Sequence, residues 1–189
     1  MSIEQSLTRQ TQLTVSGWRA FAVTMGMKYP TGRSALLVST LLLAALFALP
    51  GCSRAPELPP KEIQISGNDE MKFDLNAFEV KAGQKVTVTM RNAGTMPKEA
   101  MGHNFVLLAK NTDVPKFIEA GQPNAASEFI ASAQAFHVLG KTKILGPGES
   151  DSVTFTAPTV PGPYDYICTF PGHYVSGMKG VMTVTQPNS

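Results

Sequence analysis

The chain has 189 residues, 43% of them hydrophobic, enough for one packed domain, and its 16 Lys and Arg against 14 Asp and Glu leave a formal charge of only +2. Residues 1–51 carry Arg9, Arg19, Lys28 and Arg33 against Glu4, which is +3, so everything after them nets −1. That balance leaves no clustered basic face and excludes nucleic acid as a partner.

The first quarter reads as an export signal rather than domain sequence. Arg33 precedes an apolar run from Ala35 to Leu49 that ends at Pro50-Gly51-Cys52. The run is shorter than the roughly 20 apolar residues a membrane-spanning helix needs, and its basic flank and small-residue end suit a secretory signal. The polar stretch before Met27 is long for such a segment, and a start at Met27-Lys28 gives a compact one. Gly51-Cys52 resembles the cleavage site of bacterial lipoproteins, in which the cysteine becomes the lipidated first residue. Pro50 departs from the small or β-branched residue usual two places before that cysteine. An ordinary cut nearby, with Cys52 spare or paired with Cys168, is the competing reading, and pairing is the weaker half of it because Cys168 has a more specific role.

Ser53 to Lys61, with Pro56, Pro59 and Pro60, is expected to be an extended tether, about 30 Å at full reach. The domain is then residues 62–189. Short stretches rich in Val, Ile, Thr, Phe and Tyr follow between Gly, Pro and Asn: Glu62 to Ser66, Glu70 to Asp74, Gln84 to Arg91, Asn104 to Leu108, Ser152 to Thr156, Pro163 to Thr169 and Val181 to Thr185 all read as strands. Two of them, Lys85 to Met90 and Asp151 to Thr156, alternate with period two, as half-buried antiparallel strands do. The whole is an all-β sandwich. Residues 111–137 interrupt it with Ala, Gln and Glu. There Phe129, Ile130, Ala133 and Phe136 fall on one helical face behind an Asn124 cap, predicting a helical flap that covers apolar surface.

The chemistry is concentrated in Tyr166-Ile167-Cys168-Thr169-Phe170-Pro171-Gly172-His173-Tyr174-Val175-Ser176-Gly177-Met178. Cys168, His173 and Met178 stand at C-x4-H-x4-M spacing between two predicted strands, and Pro171-Gly172 turns His173 back toward Cys168. A thiolate, an imidazole and a weak thioether suit copper once a second imidazole joins them, and His103, in Met101-Gly102-His103-Asn104-Phe105, is the candidate. Each residue alone has a plainer reading: Met178 as core filler, Cys168 as a small buried hydrophobe, His103 as a strand-end histidine. It is their combination that reverses the odds. His137 has no matching partner and reads as structural, as do Met90, Met96, Met101 and Met182, of which Met101 is close enough in sequence to lie against the site. Zinc gains little from a thioether and fits poorly.

Met101-Gly102-His103-Asn104, Lys141 to Gly146, Gly148 to Phe155 and Cys168 to His173 resemble azurin, and Asn68 to Thr185 is similar to azurins and auracyanins. The resemblance implies a cupredoxin, an eight-stranded Greek-key sandwich with one type 1 copper. His103, Cys168 and His173 would be equatorial ligands and Met178 axial. Gly102 matches the position whose carbonyl lies opposite the methionine, and Asn104, beside Thr169, matches one that ties the ligand loops together. Two departures stand out: four residues rather than azurin's three separate His173 from Met178, and azurin's disulfide cysteines are missing.

The expected function is one-electron transfer in the periplasm or cell envelope, with electrons crossing at the His173 edge among Phe170, Pro171, Tyr174 and Val175. Partners would be redox proteins such as c-type cytochromes or membrane respiratory complexes, met through small, weak contacts. An enzyme using Cys168 as nucleophile lacks an orienting group and an oxyanion site. Copper-dependent reduction lacks further ligands, since Thr169 occupies the position where a bridging histidine would stand. Copper storage or delivery would use the same donors, but the tails carry no Met/His clusters.

Overall fold

In the computed structural model the described residues are 57–187, all within the compact unit Ser53–Ser189. The proposed signal, Met27, Cys52 and the first part of the tether lie outside them. Eight strands are present: β1 (Lys61–Gly67), β2 (Ala77–Lys81), β3 (Lys85–Asn92), β4 (Val106–Leu108), β5 (Val138–Lys141), β6 (Ser150–Thr156), β7 (Gly162–Ile167) and β8 (Lys179–Thr185). They form a three-stranded sheet ordered β1-β3-β6 and a five-stranded sheet ordered β2-β8-β7-β4-β5.

The period-two strands pair as their pattern requires, β3 running antiparallel to β6 with Val88 opposite Val153. Two other pairs are parallel, β1 with β3 and β2 with β8, so the sandwich is mixed rather than purely antiparallel. Between the sheets, Ile63, Ile65, Val86, Val88 and Met90 meet Phe78, Val80, Phe105, Leu107, Tyr166, Met182 and Val184. Tyr166 anchors this core. Its ring lies 5.2–5.6 Å from those of Phe73, Phe78 and Phe105, and its hydroxyl donates to the Leu75 carbonyl at 2.6 Å.

Several expectations need correction. Glu70 to Asp74 is not a strand: Met71 turns with φ 56°, and only a single bridge joins Phe73 to Gly67. The strand is the next segment, Ala77–Lys81, whose inward Phe78 and Val80 find a parallel partner in β8. Strand β5 went unread because its four residues, two half-buried and two exposed, lie at a sheet edge. Strand β1 begins at Lys61, and Gln84 Nε2 bonds the Pro59 carbonyl at 2.8 Å, so the end of the expected tether is held to the domain.

The insertion covers apolar surface, but not as one helix. Helix α1 (Lys98–Met101) precedes it, and within it α2 (Val114–Gly121) begins at Asp113, whose Oδ1 accepts from the Lys116 amide, with Pro115 in the first turn. Two 3-10 segments follow, Ala125–Ser127 and Ser132–His137. Asn124 does not cap: its amide donates back to the Ala120 carbonyl at 2.9 Å. Phe129 lies outside any helix with φ 58°, and Phe136 is 74% exposed. The buried contacts come from Val114, Phe117 and Ile130 on Val106, Leu108 and Ile167, the outer face of the five-stranded sheet.

Candidate metal centre

Strand β7 ends at Ile167 and β8 starts at Lys179, so the loop that carries Cys168, His173 and Met178 sits at one end of the sandwich. Backbone bonds close it tightly: Cys168 N–H to the Met178 carbonyl at 3.2 Å, Met178 N–H to the His173 carbonyl at 2.9 Å, and His173 N–H to the Phe170 carbonyl at 3.1 Å. The Pro171-Gly172 turn forms as expected, with Gly172 at φ 83°. His103 arrives from the neighbouring segment. Its N–H and C=O pair with Leu145 in an isolated bridge, just ahead of β4 rather than inside a strand.

Among the described residues, His103, Cys168 and His173 form a group whose donor atoms all lie within 4.8 Å of one another. The two Nδ1 atoms face each other at 3.2 Å, and Cys168 Sγ is 3.5 Å from His173 Nδ1 and 4.0 Å from the Gly102 carbonyl oxygen. All three side chains are buried, and so is Met178. A β-carbon built on Gly67 would lie 2.5 Å from Met178 Cε and 3.0 Å from His103 Cδ2, so one bare position serves both side chains.

Burial sets the protonation. It pushes the Cys168 thiol up to about 12, against the smaller opposing pull of the Asn104 and Phe170 amides. It lowers His173 to about 4, with the positive potential of His103 adding to the effect. His103 is lowered by burial too, while the Asn68 backbone and the Asp69 carboxylate pull the other way. The Asn68 contact falls short of an ordinary hydrogen bond, because His103 Nε2 is left without a partner. Both rings are therefore neutral with lone pairs to give, and the thiol is one that only a strongly bound cation would deprotonate. A soft sulfur, two imidazoles and an adjacent thioether in a dry pocket fit copper.

Asn104 joins the two ligand segments, its Nδ2 donating to Thr169 Oγ1 at 2.8 Å and its Oδ1 accepting from the Thr169 amide at 2.9 Å. The family model for copper binding proteins of the plastocyanin/azurin family matches residues 61–185. The chain belongs to this family.

Relatives agree along the whole domain. The chain is 36% identical to an azurin of Pseudomonas fluorescens biotype A over 126 residues, covering 65% of this chain and 97% of that protein. It is 36% identical to auracyanin-B of Chloroflexus aurantiacus over 137 residues, covering 71% of this chain and 57% of that one. Among solved structures, dithionite-reduced auracyanin of Roseiflexus castenholzii superimposes with TM-score 0.59 at 36% identity, covering 69% of this chain and 99% of that one. An azurin of Methylomonas sp. strain J gives 0.58 at 32%, covering 66% and 98%. These likenesses make the fold that of a cupredoxin and the cofactor of this plastocyanin/azurin-type domain copper.

Three contributors escaped the sequence reading. Gly67 had a signal, since a glycine inside a strand pattern marks close approach. Asn92 had one as well: it occupies an inward position of β3 in register with Val86, Val88 and Met90. There its amide donates to the Leu145 carbonyl at 3.0 Å and the Met101 carbonyl at 3.3 Å and accepts from Gly94 N–H at 2.8 Å. Glu128, which reaches Thr169 and Ile144, had none. Of the methionines expected to pack, Met90 and Met182 are buried, Met101 is half-buried and Met96 is 41% exposed. His137 accordingly stays structural, against Thr112 and Phe117.

Proposed function

We propose that the protein is a one-electron carrier in which His103, Cys168 and His173 would hold a single copper, with Met178 and the Gly102 carbonyl as weaker partners. The observation that carries this reading is the convergence of three buried donors, already in place, at one end of a rigid sandwich. Copper supplies the one-electron couple. The chain supplies everything else: Asn104 and the closed loop keep the donors from rearranging between oxidation states, and the Asn104 and Phe170 amides beside Cys168 stabilise charge on its sulfur.

His173 turns Nδ1 inward, which directs its other ring edge away from the cluster. Around it Phe170 and Tyr174 are half-buried and Pro171 and Val175 exposed, an apolar patch suited to brief contact with a redox protein such as a c-type cytochrome or a membrane respiratory complex. Export to the cell envelope, with a lipid on Cys52, is the location that suits such partners. Among the described residues no helix is long and apolar enough to cross a membrane.

A nucleophilic enzyme fits less well. Activation requires a thiol lowered toward neutrality, whereas burial pushes Cys168 the opposite way. The groove of about 650 Å³ between the insertion and β5 contains none of the donors. The test is a visible spectrum of the copper-loaded, oxidised protein and of its Cys168→Ser variant. A strong blue or green thiolate-to-copper band, lost in the variant, is the expected result. A colourless wild type, or a variant with unchanged absorption, overturns the reading.

A further inference from the structure

The insertion does more than cover the sheet. Its Glu128 and Phe129 are adjacent non-glycine residues in the left-handed region, φ 59° and 58°, a conformation unfavourable for residues with a side chain unless the surroundings enforce it. What surrounds them here is the ligand loop. The Glu128 carbonyl accepts from Thr169 Oγ1 at 2.7 Å, the same hydroxyl that accepts from Asn104. The Glu128 carboxylate takes the Ile144 amide at 3.1 Å and pairs with Lys141, which fixes the segment leading to Leu145 and hence to His103. The Phe129 ring meets Phe170 edge-on at 5.6 Å, and Phe170 lies 4.8 Å from the His173 ring.

We propose that Glu128 and Phe129 are positioning residues that clamp the Cys168–His173 segment from the insertion side and hold its donors in place before any metal binds. Glu128 bonds both the Cys168 side and the His103 side of the site; Phe129 backs the ring that backs His173. The kinked backbone is what lets two consecutive residues reach these places, since a helical Glu128–Phe129 would continue along the sheet instead. The inference rests on Cys168 and His173 being ligands, but its test does not require copper.

The test compares Phe129→Gly and Glu128→Gly with Ile118→Ala in the full, metal-free chain. Glycine takes a left-handed φ without strain, so Phe129→Gly loses the ring against Phe170 and Glu128→Gly loses the carboxylate that holds Ile144 and Lys141, while the residue-128 carbonyl stays available to Thr169. Ile118 packs against the cluster that the insertion forms with Val106, Leu108 and Ile167, which contains none of the donors. The readout is the rate at which iodoacetamide alkylates Cys168, followed on its own peptide by mass spectrometry so that Cys52 does not contribute. Both clamp variants should react about tenfold faster than wild type, as expected when local opening becomes easier, while Ile118→Ala stays within about twofold. Phe129→Leu, which keeps bulk but loses the edge contact, should fall between. After copper loading, the clamp variants alone should move the absorption maximum and the midpoint potential. Unchanged alkylation in both clamp variants, or an equal rise in Ile118→Ala, overturns the clamp. A colourless wild type overturns the copper reading and leaves the alkylation result to stand by itself.

Discussion

Replacing Gly67 with Ala tests whether the space beside the candidate ligands is as full as it looks. The added methyl would lie 2.5 Å from Met178 Cε and 3.0 Å from both His103 Cδ2 and Met90 Cε, well inside contact distance. His103 cannot easily retreat, because its N–H and C=O both pair with Leu145, whereas Met178 ends in a flexible thioether. The methionine therefore moves, and with it a thioether that would be a weak partner of the copper. Overpacking of this kind costs about 1–3 kcal/mol. Losing a glycine stiffens the unfolded chain and offsets about 0.4–1 kcal/mol of that. The net destabilisation is about 0.5–2 kcal/mol, a drop of roughly 2–6 °C in Tm for a domain of this size. Calorimetry of the metal-free protein measures the first effect; absorption and midpoint potential of the copper-loaded form measure the second, and both should shift. A variant as stable as wild type with an unaltered spectrum would refute the crowding and the placement of Met178 against the site.

Asn92→Leu removes three hydrogen bonds and takes their partner from the Met101 carbonyl and the Gly94 N–H, while the Leu145 carbonyl keeps the His103 N–H, so urea unfolding should show a loss of about 1–3 kcal/mol. His173→Gly should open the site and slow electron exchange with protein partners, measured by stopped flow; unchanged rates would move the port elsewhere. In the copper-free protein, His173 stays neutral down to about 4 while the unfolded chain takes up its proton near 6.5. The unfolded state then binds more protons, so stability is full above that value and falls on acidification through the window, by on the order of 1–2 kcal/mol at pH 5. The urea midpoint should be lower at pH 5 than at pH 7.5, and His103, also lowered by burial, adds to the same trend. An invariant midpoint would mean that the rings are not buried as neutral bases.

The parts of this molecule that sequence could reveal are those whose cause is local. Cys168, His173 and Met178 share one loop, so their spacing and the Pro171-Gly172 turn already imply convergence, and the alternation in β3 and β6 names the buried face of each strand directly. His103 was found by donor chemistry alone, because nothing near it in sequence says that Leu145 will hold it in place. The misread elements are those whose cause is distant. Strand β2 exists because β8 lies alongside it in parallel register, and Phe129 escapes the helical pattern because Phe170 and Thr169 offer its segment better contacts than another turn would. The insertion does cover the sheet, but of the four residues on the expected helical face only Ile130 takes part, with Val114 and Phe117 doing the rest, while Ala133 and Phe136 are exposed and no continuous helix forms.

The same division explains why the site is more rigid than its loop origin suggests. A loop with three donors would ordinarily be mobile. Here its two ends are the last residue of β7 and the first of β8, adjacent antiparallel strands with Ile167 opposite Lys179, so the ends cannot separate. Asn104 then fixes Thr169 at one flank, and Met178 closes back onto both Cys168 and His173 at the other. Turn bonds from Ser176 N–H to the Gly172 carbonyl at 3.1 Å and from Gly177 N–H to the Tyr174 carbonyl at 3.0 Å close the tip as well, leaving Val175 as its exposed apolar side chain. Rigid donors and an exposed apolar tip meet two requirements, one for electron transfer without rearrangement and the other for fleeting contact. The strand register satisfies the first, and the exposed Val175 beside Tyr174 suits the second.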